Sequence, residues 1–335
     1  MILLFLLTGA GCVRISSNGT SAVLYESFDG GKTWKPANKL LSTDASATLP
    51  IEASNVLAFD PTDPQTLYWA SRDGALYQTT NGAQSWKLIQ KKADPYLALD
   101  VDPRHPCTLY ISTGVQIQKS VDCGRRWDTR IELPKSVSLL SVRVNPLHPE
   151  MVMASSSRGD IYLSTDEGVQ WISPLRIQDS AVEIVFSLSS VQDVYVFGAQ
   201  GSVYRSSDAG KNWTDLTSSL KGATGGSPLK SVFLNLVRAE ELIVATGQQI
   251  VRSVDRGTTW KPINLLTTSA TTAIHALTVD PQDSQVVYYA NATTLYRSAN
   301  GGVSWQSFPL PSDQEAAILL IDPQRHGHLY LTIKP

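Results

Sequence analysis

The chain has 335 residues, enough for one large domain or two ordinary ones, and its 42% hydrophobic share suits a packed core rather than a disordered chain. A formal net charge of −2 leaves no basic excess for a nucleic-acid partner. Only 17% of residues are charged, which favours many short strands and turns over long solvated helices, and no apolar run after the N-terminus is long enough for a membrane helix.

Ile2 to Leu7 is an unbroken apolar run leading into Thr8-Gly9-Ala10-Gly11-Cys12. An apolar segment ending in small residues and a cysteine resembles the end of a bacterial lipoprotein signal. It departs from that pattern in having no Lys or Arg before the run and Gly9 where Leu is usual. The resemblance implies export, a signal-like segment over 1–11, lipid on Cys12, and a single domain over 12–335. One acyl chain holds a protein to a membrane only marginally. The diacylglyceryl and amide-linked chains of a lipoprotein hold firmly.

The domain is a repeat. Ser27 to Trp34 reads Ser-Phe-Asp-Gly-Gly-Lys-Thr-Trp, and the pattern Ser/Thr-x-Asp/Asn-x-Gly-x-x-Trp returns through the chain. Its acceptors are Asp29, Asn81, Asp122, Asp166, Asp208, Asp255 and Asn300, and its closing residues are Trp34, Trp86, Trp127, Trp171, Trp213, Trp260 and Trp305. The second copy has Gly82-Ala83 where the others end in Gly. The spacing has a structural reason. A carboxylate or amide oxygen accepts backbone N–H groups inside a tight turn, and Gly supplies a left-handed position. The Trp opens the next strand and buries a ring against the neighbouring unit.

A second repeat runs in phase with the first. Leu57 to Tyr68, carrying Asp60-Pro61, recurs at Leu99 to Tyr110, Val142 to Met153, Leu277 to Tyr288 and Leu319 to Tyr330. Weaker forms without Asp-Pro lie at Ile184 to Val196 and Val232 to Val244. Each reads as strand, Pro-punctuated turn, strand. The unit is therefore strand 1, Asp-Pro loop, strand 2, short turn, strand 3, box, strand 4. Four strands in about 45 residues is a propeller blade.

Seven boxes and seven strand 1–2 units make an all-β, seven-bladed propeller of four-stranded blades. The chain starts on a box and ends on a strand 1–2 unit, so Leu319 to Ile333 is expected to pair with Ala22 to Ser27. That shared blade removes an exposed sheet edge. A ring closed in this way is expected to stand as a monomer.

The boxes resemble the Asp-box, or BNR repeat, of bacterial sialidases, xyloglucan hydrolases, sortilin-type receptors and photosystem II assembly factors. In those families the box folds the hairpin away from the active face, which implies no catalytic role for these Asp residues. A lone seven-bladed Asp-box ring behind a lipoprotein-like signal resembles the photosystem II assembly and stability factor family across essentially the whole chain. Members of that family often carry Gly-Trp-x-Val-Gly on strand 2. Here strand 2 instead opens on Leu67-Tyr68, Leu109-Tyr110 and Leu329-Tyr330.

Asp-Pro loops and boxes fall at one end of the strands. The other end carries the strand 2–3 turns and the connections between blades, where Arg72, Lys91, Lys92, Lys135 and Arg158 would form a basic partner-binding patch. Asp73, Asp160, Asp179 and Glu183 are the carboxylates that a glycosidase would draw on. Nothing in their context marks one as an acid of raised pKa. The sialidase signature Phe/Tyr-Arg-Ile-Pro is missing: Val13-Arg14-Ile15-Ser16 and Leu175-Arg176-Ile177-Gln178 lack both its aromatic and its Pro. Five scattered His and no Cys/His cluster give no metal site, and no cofactor is expected. The expected function is a non-catalytic, membrane-anchored scaffold that docks on a protein complex. The alternative is a sialidase-like or xyloglucanase-like propeller acting on or binding carbohydrate.

With Cys12 reserved for lipid, Cys107 and Cys123 remain as a pair in an oxidising compartment. Centring the hairpin turn near Gly114 sets Cys107 opposite Val121, two residues from Cys123. That diagonal lies at the edge of disulfide reach, about 7 Å between Cα atoms.

Overall fold

The computed structural model describes residues 24–44, 46–50, 54–92, 94–234, 240–266 and 273–334. The signal-like segment, Cys12 and Ala22 lie outside them. Among the described residues, strands pair into seven antiparallel sheets of four. Blades 1 to 6 begin with strand 1 at Ser54–Phe59, Ala98–Val101, Leu139–Val144, Ala181–Phe186, Leu229–Leu234 and Ala276–Val279. Blade 7 takes strands 1 and 2 (Ala316–Ile321, Leu329–Ile333) from the C-terminal part of the chain and strands 3 and 4 (Leu24–Ser27, Lys35–Pro36) from the N-terminal part. The seam pairs Leu24 with Thr332 through Ser27 with Leu329.

Burial follows position in the blade. Strand 2 is mostly apolar and buried throughout at Leu67–Ser71, Val152–Ser156, Val194–Gly198 and Leu242–Thr246, because each face meets a neighbouring blade. Strand 4 forms the outer wall, and Lys87–Lys91 and Asp128–Glu132 hold only exposed and half-buried residues. The core is divided into seven hydrophobic clusters, one at each blade interface. Tyr68, Ala70 and Leu76 of blade 1 meet Leu99, Leu109 and Ile111 of blade 2, for example. Tyr25 and Leu331 of blade 7 meet Tyr288 and Leu295 of blade 6. Each fully buried Leu or Tyr contributes about 1.5–3 kcal/mol of transfer free energy. The ring is therefore held blade to blade.

The box builds its own turn. In blade 2 the Ser120 hydroxyl donates to Asp122 Oδ1 (2.9 Å) and accepts the Gly124 N–H (2.9 Å). Asp122 Oδ1 also accepts the Arg126 N–H (2.8 Å), and the Trp127 indole donates to the Gly124 carbonyl (2.9 Å). Two successive residues take left-handed φ, Cys123 at 57° and Gly124 at 85°; in the second box they are Gly82 at 63° and Ala83 at 65°. Gly is needed where space is also short, since a Cβ on Gly302 would stand 2.1 Å from Ile263 Cγ2.

The first left-handed residue points its N–H at its own blade's strand 1–2 loop. Gly82 donates to the Gln65 carbonyl, Glu167 to Glu150, Ala209 to Gln192, Arg256 to Glu240, Gly301 to Gln285 and Gly30 to Gly327, all at 2.8–2.9 Å. In blade 2 the same bond runs from Cys123 to Cys107 (2.9 Å), and there the sulfurs are also joined, with Cα atoms 4.1 Å apart. The expected diagonal is thus replaced by a directly opposed pair. Strands 2 and 3 align Leu109 with Ser120, one residue off the expected register, and the left-handed turn curls Cys123 back over Cys107.

Two features depart from the sequence reading. Trp86 is the fully buried box tryptophan, while Trp171 and the other five are half-buried. Chain leaving blade 7 crosses to blade 1, where the Ala37 carbonyl accepts the Trp86 indole N–H (2.7 Å) and the Trp86 carbonyl accepts the Leu41 N–H (2.7 Å). The connection from blade 4 to blade 5 holds a helix, α1 (Thr217–Thr224), closed by Gly225 at φ 64°. Its buried face is only Leu220 and Thr224, too little apolar periodicity to stand out in the sequence.

Candidate functional site

Strand 1 of every blade faces the axis, and these inner strands pack side by side around a central channel. At the matching central position they carry mostly small or apolar residues, with Ala58 in blade 1 and Leu320 in blade 7. Blades 2 and 3 place Asp100 and Arg143 there instead, and blade 4 adds Glu183 two residues along its strand. At this position, among the described residues, charge is confined to two adjacent blades, with Glu183 on the next.

Arg143 joins the group. Its Nε and Nη2 donate to Glu183 Oε1 at 3.1 and 2.8 Å, and Nη1 reaches the Leu99 carbonyl at 3.5 Å. Asp100 Oδ2 accepts the Val144 N–H at 2.7 Å. Burial pushes the Asp100 carboxyl up, against the opposing pull of Arg143, while the Glu183 carboxylate holds the Arg143 guanidinium firmly charged. Arg143 is thus paired with Glu183 and attracted by Asp100, with about a third of the Arg143 and Glu183 side chains still open to solvent (33% and 31%).

The Arg143–Glu183 pair divides the channel. At the box-end mouth a cavity of about 420 Å³ is collared by Pro61, Pro103, Pro146 and Leu188 from the strand 1–2 loops and by Phe186 from the end of strand 1, with Asp100, Arg143 and Glu183 in its wall. Beyond the pair, a second space of about 280 Å³ is lined by Val56, Ala98, Ser141 and Ile318. An apolar collar over a small polar group suits an extended segment or small ligand better than a flat docking surface. Asp100 and Arg143 were not among the sequence candidates. Their signal was a charge inside an otherwise apolar strand 1, in Leu-Asp-Val and Val-Arg-Val.

The basic residues expected on the opposite face do not gather into one free patch. Lys91 pairs with Asp73 at 3.0 Å. Lys92 turns inward, donating to Gln118 Oε1 and lying 5.8 Å from the Trp127 ring centroid, and burial lowers its pKa. Arg158 donates to Ser136 Oγ at 3.0 Å; it, Arg72 and Lys135 are exposed. The carboxylates are dispersed too. Asp73 accepts Ser71 and Lys91, and Asp160 pairs with Arg176 at 3.0 Å. Asp179 accepts the Gln200 N–H at 2.9 Å, and only Glu183 faces the channel. The box acceptors are spent on their own turns: Asp166 accepts the Gln170 N–H (2.8 Å), Asn81 the Ser85 N–H (3.0 Å) and Asp255 the Thr259 N–H (2.8 Å).

Seven blades, seven self-bonded boxes and one closed ring define the class: the chain is an Asp-box (BNR-repeat) seven-bladed β-propeller. Within that class it resembles the photosystem II assembly factors. The family model for the photosynthesis system II assembly factor YCF48 matches residues 172–325, and the BNR/Asp-box repeat model matches 25–36. A xyloglucanase of Hypocrea jecorina (strain QM6a) is 26% identical over 76% of this chain, but the chain spans only 30% of that protein. Among solved structures, a xyloglucanase from Xanthomonas campestris superposes with TM-score 0.67 at 19% identity, covering 84% of this chain and 51% of its own. YCF48 bound to D1 peptide superposes with TM-score 0.66 at 15% identity, covering 89% of this chain and 98% of its own. YCF48 from Cyanidioschyzon merolae gives 0.63 at 15%, covering 85% and 97%. At these identities the structural likeness is one of fold.

Proposed function

We propose that the protein is a non-catalytic docking propeller, exported and held to a membrane by lipid on Cys12, which receives a segment of a protein complex at the box-end mouth of its channel. The observation that carries this reading is the mouth itself: a cavity of about 420 Å³ with an apolar collar, whose ionisable lining groups among the described residues are Asp100, which accepts the Val144 N–H, and the Arg143–Glu183 ion pair. A glycosidase needs one carboxyl to give a proton and a second to act on the sugar. Here Glu183 is committed to Arg143, while Asp73, Asp160 and Asp179 are held by partners in separate turns. The extent of the likeness agrees, because one ring of this size matches nearly the whole of the peptide-bound YCF48 structure and about half of a xyloglucanase.

The carbohydrate reading draws on the 26% identity to the Hypocrea xyloglucanase. One comparison separates the two. Full-length protein is used to capture complexes from its own membranes, beside an Asp100→Asn/Glu183→Gln variant and with xyloglucan supplied as substrate. We expect a defined membrane complex retained by the native protein and lost from the variant, with no sugar released. Xyloglucan cleavage that disappears in the variant would overturn the docking reading. A Cys12→Ser variant is expected to move from the membrane to the soluble fraction.

A further inference from the structure

We propose that the Cys107–Cys123 bond is a thiol–disulfide exchange site, opened in the folded ring by an external dithiol and re-formed by the reverse exchange with that reagent's disulfide form or by oxidation with dioxygen. The first reason is redundancy. The bond ties a box to its Asp-Pro loop at a place where six sister blades make the same backbone N–H to carbonyl contact with no covalent link. Blade 5 fills the matching side-chain positions with an ion pair, Arg256 to Glu240 at 3.0 Å. The hairpin therefore has what it needs to stay closed once the sulfurs part.

The second reason is access. Cys107 is exposed and Cys123 half-buried, so an incoming thiolate meets the Cys107 sulfur first. Beside the bridge a cavity of about 530 Å³ opens between blades 2 and 3, lined by His105, Pro106, Cys107, Lys119, Val121 and Glu167. It offers the attacking group a seat next to the bond. Lys119 is held under this cavity by Glu167, with its ammonium 5.4 Å from the Tyr110 ring centroid, so the floor is anchored independently of the disulfide.

The exchange balances. A thiolate of the dithiol attacks Cys107 Sγ, and the Sγ–Sγ bond breaks with its electron pair leaving on Cys123. The second thiol, deprotonated, then attacks the reagent's own sulfur in the mixed disulfide and releases Cys107 as thiolate. The reagent departs oxidised, and the protein gains two electrons and, by the pH of the medium, up to two protons.

The test uses the full chain under native conditions. Dithiothreitol is added, free thiols are titrated with a chromogenic disulfide, and folding is followed by circular dichroism and tryptophan fluorescence. Two thiols should appear with the native spectrum intact and disappear again on removal of reductant under air. Thiols that appear only together with loss of the native spectrum would overturn the proposal. Reduced glutathione followed by acid quench should leave the mixed disulfide on Cys107; finding it on Cys123 would also overturn it. A Cys107→Glu/Cys123→Arg variant, copying blade 5, should fold with a thermal midpoint within about 10 °C of the oxidised protein. Failure of that variant to fold, with reduction also unfolding the native chain, would make the bond a structural necessity.

Discussion

Each box acceptor is a small electrostatic device, and its charge state is set within five residues. In the first box, burial raises the pKa of Asp29, but the hydroxyl and N–H of Thr33 and the Ser27 hydroxyl outweigh it and hold the carboxyl down to about 2. In the third box the Arg126 N–H and guanidinium hold Asp122 to about 2, and in the fifth the Asn212 N–H and side-chain amide do the same for Asp208. A folded pKa below the unfolded one contributes stability that is fully present above the ordinary value and lost as pH falls through the folded one. The boxes of Asp29, Asp122 and Asp208 therefore loosen together between about pH 4 and pH 2. Asn81 and Asn300 show that an amide can do the work without charge, since each accepts the later N–H and donates to a Ser hydroxyl (2.9 and 2.8 Å). The Thr33 hydroxyl can turn to accept in the same way. We expect Asp29→Asn to leave the thermal midpoint at pH 7 nearly unchanged and to flatten its fall between pH 4 and 2. A fall as steep as the wild type's would show that this carboxylate does not drive acid sensitivity.

At the scale of the element, the seven hairpins share a sequence pattern but not a burden. Trp86 is enclosed by the segment crossing from blade 7 and stacks edge-on to Trp69, with ring centroids 6.2 Å apart. Trp171 keeps its indole bond to Gly168 and shows one side to solvent. Urea denaturation should give about 3–5 kcal/mol lost for Trp86→Ala and roughly half that for Trp171→Ala. Equal losses would mean that the box turn, and not the enclosure of the ring, sets the cost. The difference could not be read from the repeat, because Ala37, Leu40 and Leu49, which pack around Trp86, belong to no repeat and are distant in sequence. Strand 2 was more legible. Its Leu-Tyr pairs announce burial on both faces, and Tyr68, Tyr110 and Tyr330 are all in blade interfaces.

For the whole molecule, closure is the decisive contact. Leu329–Ile333 is buried along its length and hydrogen-bonded on one edge by Leu24–Ser27. Without that partner it would present an apolar, unpaired strand. Deleting residues 24–36 should convert a single species on gel filtration into aggregates, with loss of cooperative unfolding. A monomeric, cooperatively folding truncation would show that six and a half blades hold the ring.

Blade number, strand order and the shared seventh blade follow from the sequence alone, because the information is local and repeated. A Ser-x-Asp-x-Gly turn bonds to itself, a Pro ends a strand, and an alternating run buries one face, whatever surrounds them. Placement on a face was legible in the same way: the boxes lie with the Asp-Pro loops, at the end opposite the strand 2–3 turns. The channel site is different in kind. Asp100, Arg143 and Glu183 stand on three blades about 40 residues apart, and each looks like a charge in a strand until the ring brings them together. Lys91 and Lys92 are adjacent in sequence, yet one pairs with Asp73 at the surface and the other folds inward against Trp127. Hydrogen bonds within a turn are written in neighbouring residues. Ion pairs and enclosures between blades depend on where the closed ring places chains that are distant in sequence, and only the tertiary structure decides that.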